Sequence, residues 1–235
     1  METKKRIGYF IIATVICFSI AFASRGIAAE GDVKLPQPSL KSDVSIEKAL
    51  SERRSLREYK AQPVTLNELS QLLWAAQGIN EPVKGLRTAP SPMAMYTLKL
   101  YAVTLNVNGI AQGAYRYEPK SHELILISKG DKREDIKRPA PTAEQAAAAA
   151  KMGHADPFPT TPLVFVITGD GSKTKNSALY YLEAGHAAEN LVLQCVSLGM
   201  GGVTTMASSN ADKLKALLQM ANDEVPIYAI PVGKK

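Results

Sequence analysis

Residues Tyr180 to Gly202, YYLEAGHAAENLVLQCVSLGMGG, decide how the rest of the chain is read. Tyr181, Ala184, Ala188, Leu191, Val192, Cys195 and Leu198 recur at three- and four-residue steps, the period of a helix face. A second set at the same spacing, Glu183, His186, Asn190 and Ser197, is polar. Ala184, Gly185, Ala187 and Ala188 leave little side-chain bulk on the early turns, so another backbone or a flat group can come close. Gly199 predicts the stop, and Gly201-Gly202 follows in a loop without side chains. A nearly apolar helix of about six turns belongs in a core or a subunit interface. An ordinary core helix with small residues at a crossing has the same pattern, and this window alone does not choose.

Working outward, the apolar run Leu163–Thr168 (LVFVIT) predicts a strand covered on both faces. Thr97–Leu105, Gly113–Tyr117, Leu124–Ile127 and Pro226–Val232 read as further strands, with a short one near Val203. Thr65 with Glu68, and Thr142 with Gln145, have the capping-box spacing and start two more helices. Ser45–Glu52 and Ser209–Gln219 complete the helices. The expected fold is one α+β domain over 45–235, a mixed and largely antiparallel sheet flanked by helices, with a long central buried helix. Residues 30–44 are polar and contain proline, which predicts an extended arm or linker.

The 235 residues, 46% hydrophobic and 21% charged, suit one substantial core. Lys4, Lys5 and Arg6 precede an apolar run from Ile7 to Ala23, and Ala21-Phe22-Ala23 or Ala28-Ala29 offers a cleavage site. Residues 1–29 therefore read as a signal peptide, with an uncleaved anchor as the alternative, and place the protein in an exported, periplasmic setting. Only that segment would touch a membrane. Its loss leaves 24 Lys+Arg against 21 Asp+Glu, a formal charge of +3, which gives no case for nucleic-acid binding. Cys195 alone survives cleavage, so no internal disulfide is available. His122, His154 and His186 lack ligand spacing, so no metal site is expected. No serine sits in a nucleophile elbow, and no Gly-rich loop follows a first strand.

Arg53-Arg54-Ser55-Leu56-Arg57 puts three guanidiniums within five residues. An anion relieves their repulsion, and guanidinium matches phosphate oxygens in pairs. A solvated basic helix end, favoured by the helix dipole, would carry the same residues.

The order RRSLREY (53–59), LLWAAQGIN (72–80), RTAPS (87–91), EAGHAAENLVLQCVSLGMGG (183–202) and PVG (231–233) resembles the FMN-dependent nitroreductase family. It is similar in particular to the SagB-type and thiazoline/oxazoline dehydrogenase subgroup. The resemblance covers about Ser45 to Lys235. It implies an intertwined homodimer with FMN bound at the subunit interface and ping-pong hydride or electron transfer through flavin N5 to or from a small-molecule substrate. By motif, Arg53, Arg54 and Ser55 hold the phosphate and ribityl chain, and Arg57 lies near the pyrimidine edge. Pro90 and Ser91 line the ring from the other subunit, while the backbone amides of Glu183, Ala184 and Gly185 face the N5 and O4 edge. Gly201 and Gly202 leave room beside the cofactor, and Lys234 adds a phosphate contact. No side chain is singled out as an essential acid or base, because the flavin carries the chemistry. Pro92-Met93-Ala94-Met95 stands where relatives are rich in glycine and alanine, and Lys175 is followed by Asn176 rather than by the tyrosine of azole-forming members. Two alternatives therefore accompany the oxidoreductase expectation: a flavin- or small-molecule-binding protein without turnover, and an azole-forming peptide dehydrogenase.

Overall fold

The strand at Leu163–Asp170 is buried at every residue and lies inside the main sheet, so the rest of the chain is arranged on its two faces. The computed structural model describes residues 31–235, and the leader expected at 1–29 lies outside them. In chain order the strands are β1 (Val33–Lys34), β2 (Val64–Thr65), β3 (Ile79–Glu81), β4 (Leu86–Arg87), β5 (Leu98–Thr104), β6 (Val107–Asn108), β7 (Gly113–Glu118) and β8 (Glu123–Lys129). They continue with β9 (Leu163–Asp170), β10 (Met200–Gly202), β11 (Thr205–Met206) and β12 (Glu224–Lys234). The helices are α1 (Ile46–Glu52), α2 (Leu66–Gln77), α3 (Arg133–Ile136), α4 (Ala143–Lys151), α5 (Ser177–Ser197) and α6 (Ala211–Leu217).

The main sheet runs β1-β8-β7-β5-β9-β12-β10, with β11 also on β12, and all these pairings are antiparallel. Among the described residues, parallel pairing is confined to β2 with β6 and to one bridge between Ser55 and Gly202. β9 alternates between two cores. Leu163, Phe165 and Ile167 meet Leu69, Leu72 and Leu73 of α2 and Ala184, Ala188 and Leu191 of α5. Val164 and Val166 face Tyr101, Val103, Phe158 and the α6 residues Leu214 and Leu217. The double covering read from LVFVIT is therefore present, in an antiparallel setting: helices on both faces dictate it, whatever the strand direction.

α5 starts where Asn176 accepts from the Ala178 amide and ends at Gly199, whose φ of 66° suits glycine. Its buried side differs from the expected stripe by one position. Tyr180 is buried, whereas Tyr181 is 46% exposed and Leu182 57%. Tyr180, Ala184, Ala187, Leu191 and Cys195 keep the 3.6-residue period more closely than a stripe begun at Tyr181. Tyr180 also covers Gly169, where a Cβ would come within 2.5 Å of the ring. The opposite side, with Tyr181, Leu182, His186 and Glu189, faces outward.

The segment after residue 30 is extended, but it packs as part of the domain. β1 adds an edge strand to β8, Val33 and Leu35 are buried, and the chain then crosses α2. There the Ser70 hydroxyl donates to the Pro36 carbonyl at 2.6 Å. His122 Nε2 lies 2.8 Å from Ser70 Oγ and 2.9 Å from the Pro36 carbonyl, and its Nδ1 lies 2.8 Å from the Tyr117 hydroxyl.

Two predictions follow from buried polar groups. Glu224 of β12 accepts from Tyr101 and Thr168 hydroxyls (2.7 and 2.6 Å) and pairs with Lys99 at 2.7 Å, so one carboxylate ties β5, β9 and β12 together. Glu224→Ala leaves these partners unsatisfied and lowers unfolding free energy by about 3 kcal/mol, measured in denaturant titration. Burial holds the His122 pKa below its ordinary 6.5, opposed by its bond to Pro36. The unfolded chain then takes the proton first as pH falls, so stability declines below about pH 6.5. The thermal midpoint drops between about pH 7 and 5.5, and His122→Gln flattens that dependence.

Candidate active site

The basic stretch comes off the end of α1. Arg53 is its C-cap, with its amide bonded to the Ala49 carbonyl, and residues 54–60 then run beside β10 and the end of β12. The Leu56 amide donates to the Gly202 carbonyl and the Lys60 amide to the Lys234 carbonyl, both at 3.1 Å. The Tyr59 hydroxyl lies 2.9 Å from the carbonyls of Leu56 and Pro231. Arg53, Arg54, Ser55, Arg57, Gly201, Gly202 and Lys234 are thus brought to one end of the sheet.

The cations there are unevenly engaged. Arg54 donates to the Ser51 and Arg53 carbonyls, and Arg57 makes only a 3.5 Å contact to the Ser55 carbonyl. Arg53, Arg54 and Arg57 form no ion pair among the described residues. Lys234, in contrast, is bonded to the Glu68 carboxylate, which also closes the α2 capping box. Burial would raise the Glu68 pKa, but the bonds from Lys234 and Thr65 bring it below the ordinary value. The Lys234 charge is therefore already paired within this chain, unlike those of the arginines.

The glycines of this end pack against the chain itself. A Cβ on Gly201 would sit 2.8 Å from Leu56, and one on Gly202 would sit 3.0 Å from the Pro231 carbonyl oxygen. On Gly233 it would meet the Tyr59 ring at 2.7 Å. Gly201 and Gly233 thus let the 55–59 strip dock closely.

A second group surrounds the middle of α5. Glu183 is fully buried, and its Oε2 accepts from the Ser91 hydroxyl (2.9 Å), the Thr97 amide (2.9 Å) and the Thr97 hydroxyl (2.8 Å). His186 Nδ1 lies 3.1 Å from the Pro90 carbonyl, and Asn190 donates to the Thr88 carbonyl at 3.3 Å. Ser197 bonds Ser42 of the arm at 2.7 Å. The polar set noted on this helix is thus a row of stitches, mostly to the 88–97 loop. Arg87 donates to Gln77 Oε1 at 2.6 Å and stacks over Tyr96 at 4.8 Å. Burial pushes its pKa down, against the field of nearby Glu183.

The backbone amides of Glu183, Ala184 and Gly185 lie well inside a 21-residue helix, where each N–H is used by the carbonyl four residues earlier. The Ser91 hydroxyl likewise gives its one proton to Glu183 while accepting from the Tyr96 amide at 2.8 Å. Gly185 differs from the glycines above: a Cβ there would meet nothing within 4 Å.

Residues 50–234 match the profile of the Nitroreductase family. The chain belongs to that family. A protein of Methanocaldococcus jannaschii carrying a nitroreductase name is 31% identical over 199 residues, 82% of this chain and 92% of that protein. A nitroreductase-named crystal structure from Ralstonia eutropha is 29% identical, with a TM-score of 0.69 over 88% of this chain and 92% of its own. A chain of the Escherichia coli microcin synthetase complex shares the fold at 16% identity, with a TM-score of 0.64, covering 97% of this chain and 84% of that one.

Within this nitroreductase-family fold, an open groove of about 1120 Å³ runs between the arm, α1, α2 and α5, lined in part by Leu40, Ile46, Trp74, Asn190 and Leu193. Sequence reasoning missed Leu56 and Tyr59 as the anchors of the strip, and missed the Glu183 side chain. The run of glycines at 201, 202 and 233 was the available signal for the anchors. Gly201→Ala forces Leu56 to move and lowers stability by about 1–3 kcal/mol, seen as a lower thermal unfolding midpoint.

Proposed function

We propose that this protein is an exported FMN-dependent oxidoreductase that works as a homodimer on a small-molecule substrate. The observation that carries the reading is the trio Arg53, Arg54 and Arg57 beside Ser55. Three guanidiniums without a carboxylate partner, held next to the Gly202 backbone, fit the phosphate of a flavin nucleotide in a member of this family. Bound FMN supplies the two-electron carrier; the chain binds it, orients it and sets the charge around it. Arg53, Arg54 and Ser55 take the phosphate end, and Arg57 keeps a positive charge near the ring.

The homodimer is supported by what one chain leaves uncovered. Tyr181 and Leu182 on α5 and Ile46 and Leu50 on α1 are 46–58% exposed, and Gly185 opens onto empty space. A partner subunit would cover such exposed apolar side chains. A second copy would also let the 88–97 loop of one chain serve the basic strip of the other.

Azole-forming peptide oxidation is a second reading, favoured by the likeness to a microcin synthetase chain over nearly the whole length. Against it, the residue after Lys175 is Asn176, whose side chain is spent as the N-cap of α5. The exposed Met93 and the altered 92–95 loop favour the non-catalytic flavin protein as the remaining rival.

The visible spectrum of purified protein tests the proposal. The expected result is flavin absorbance with about one FMN per subunit released by heat, and Arg53→Ala/Arg57→Ala weakens FMN binding by about tenfold or more. Dithionite-reduced protein reoxidises with nitroaromatics or quinones faster than free FMN does. A colourless protein that takes up no FMN overturns the proposal, and slow reoxidation of a flavin-loaded one moves it to the non-catalytic reading. Cell fractionation together with the N-terminal sequence of the mature chain checks export.

A further inference from the structure

Glu183 does more than fill the core. All three hydrogen bonds fall on Oε2, and Oε1 has no partner. The donors belong to the two ends of one short loop, Ser91 at its start and Thr97 where it enters β5. Between them Met93, Ala94 and Tyr96 have φ of 53°, 52° and 48°. None is glycine or asparagine, the residues that occupy this region readily, so the turn is strained at three of four consecutive positions. Such a conformation persists only where its surroundings over-determine it. The Ser91 hydroxyl, which accepts from the Tyr96 amide, braces the turn from inside. Nearby Arg87 makes no hydrogen bond to Glu183: it bonds Gln77 and lies over the Tyr96 ring, while its Nε has no partner.

We propose that Glu183 is a positioning residue that clamps both ends of the 91–97 loop, so that the strained turn at Met93–Tyr96 stays formed and ready for the flavin site. The link to flavin rests on the function proposed above; the clamp does not. Its side chain acts from inside the core and touches no cofactor, so its effect on FMN passes through the loop.

The test uses the full chain as wild type, Glu183→Ala and Glu183→Gln. Amide hydrogen exchange is read over residues 91–97 of flavin-free protein, and FMN affinity is read by fluorescence quenching. Glu183→Ala is expected to speed exchange at Tyr96 and Thr97 by about tenfold, with the middle of β5 unchanged, and to weaken FMN binding by about tenfold. Glu183→Gln keeps an oxygen in the Oε2 position and stays within about threefold of wild type in both readouts. A merely structural glutamate would alter the whole core without this split. If Glu183→Ala does not fold, Thr97→Val removes one donor while leaving α5 intact, and exchange over Met93–Tyr96 rises about threefold. Unchanged exchange in these variants overturns the clamp, and a loosened loop with wild-type FMN affinity overturns its positioning role. A wild type that takes up no FMN sinks the flavin reading, while the exchange data still judge the clamp.

Discussion

The packing of one long helix against the β9–β12 part of the sheet is the constraint on which the rest depends. Tyr180 lies over Gly169, and Ala184, Ala187 and Ala188 carry the contact onward, all at most 7% exposed. Alanines keep the helix close to the strands, and close packing fixes the rotation of the helix about its axis. That rotation decides where Glu183, His186 and Asn190 point, and hence where the 88–97 loop is held. The same helix ends at Gly199, and the chain turns directly into β10 against β12. Both candidate clusters thus take their position from one piece of packing.

The basic strip shows how a fold leaves cations free. Burial and backbone bonding hold residues 55–60: Leu56 presses on Gly201, Tyr59 on Gly233, and main-chain bonds reach Gly202 and Lys234. Since apolar contact and backbone pairing supply the anchoring, no carboxylate is needed to neutralise Arg53 or Arg57. Nearby Lys234 took the opposite course, because Glu68 was already placed at the start of α2 by its capping box. Arg53 and Arg57 on one side and Lys234 on the other therefore differ in what they are available to bind.

Much of this was legible in the sequence. Caps at Thr65, Thr142 and Gly199 announced their helices because capping depends on local spacing alone. Strand alternation and the LVFVIT run gave the sheet, and the ordered motifs gave the family. What was hidden depended on tertiary contact. Ala184, Ala188, Leu191, Val192 and Cys195 of the apolar stripe are buried as read, and the miss is at its start, where Tyr180 and not Tyr181 is covered. Gly201 and Gly202 announced a close approach, but not whether a side chain or a ligand makes it. The strained turn at Met93, Ala94 and Tyr96 had no local signal, since positive φ is usually announced by glycine or asparagine. Its cause lies in Glu183, some ninety residues away in sequence.

That distance bears on how the two clusters came to share one helix. A loop that is unstable by itself can be kept in shape only by something more rigid than itself. The interior of a 21-residue helix packed on a sheet is such an element. A flexible surface residue in the place of Glu183 would let the turn relax, and a free amide at a helix end would have served for hydrogen bonding but not for rigidity. Placing the carboxylate in mid-helix lets Glu183 reach the loop from a fixed backbone. The small residues beside it answer a different demand: Ala184 serves the sheet, and Gly185 serves whatever lies on the open side. One segment, Glu183-Ala184-Gly185, thereby faces loop, core and outer surface in turn.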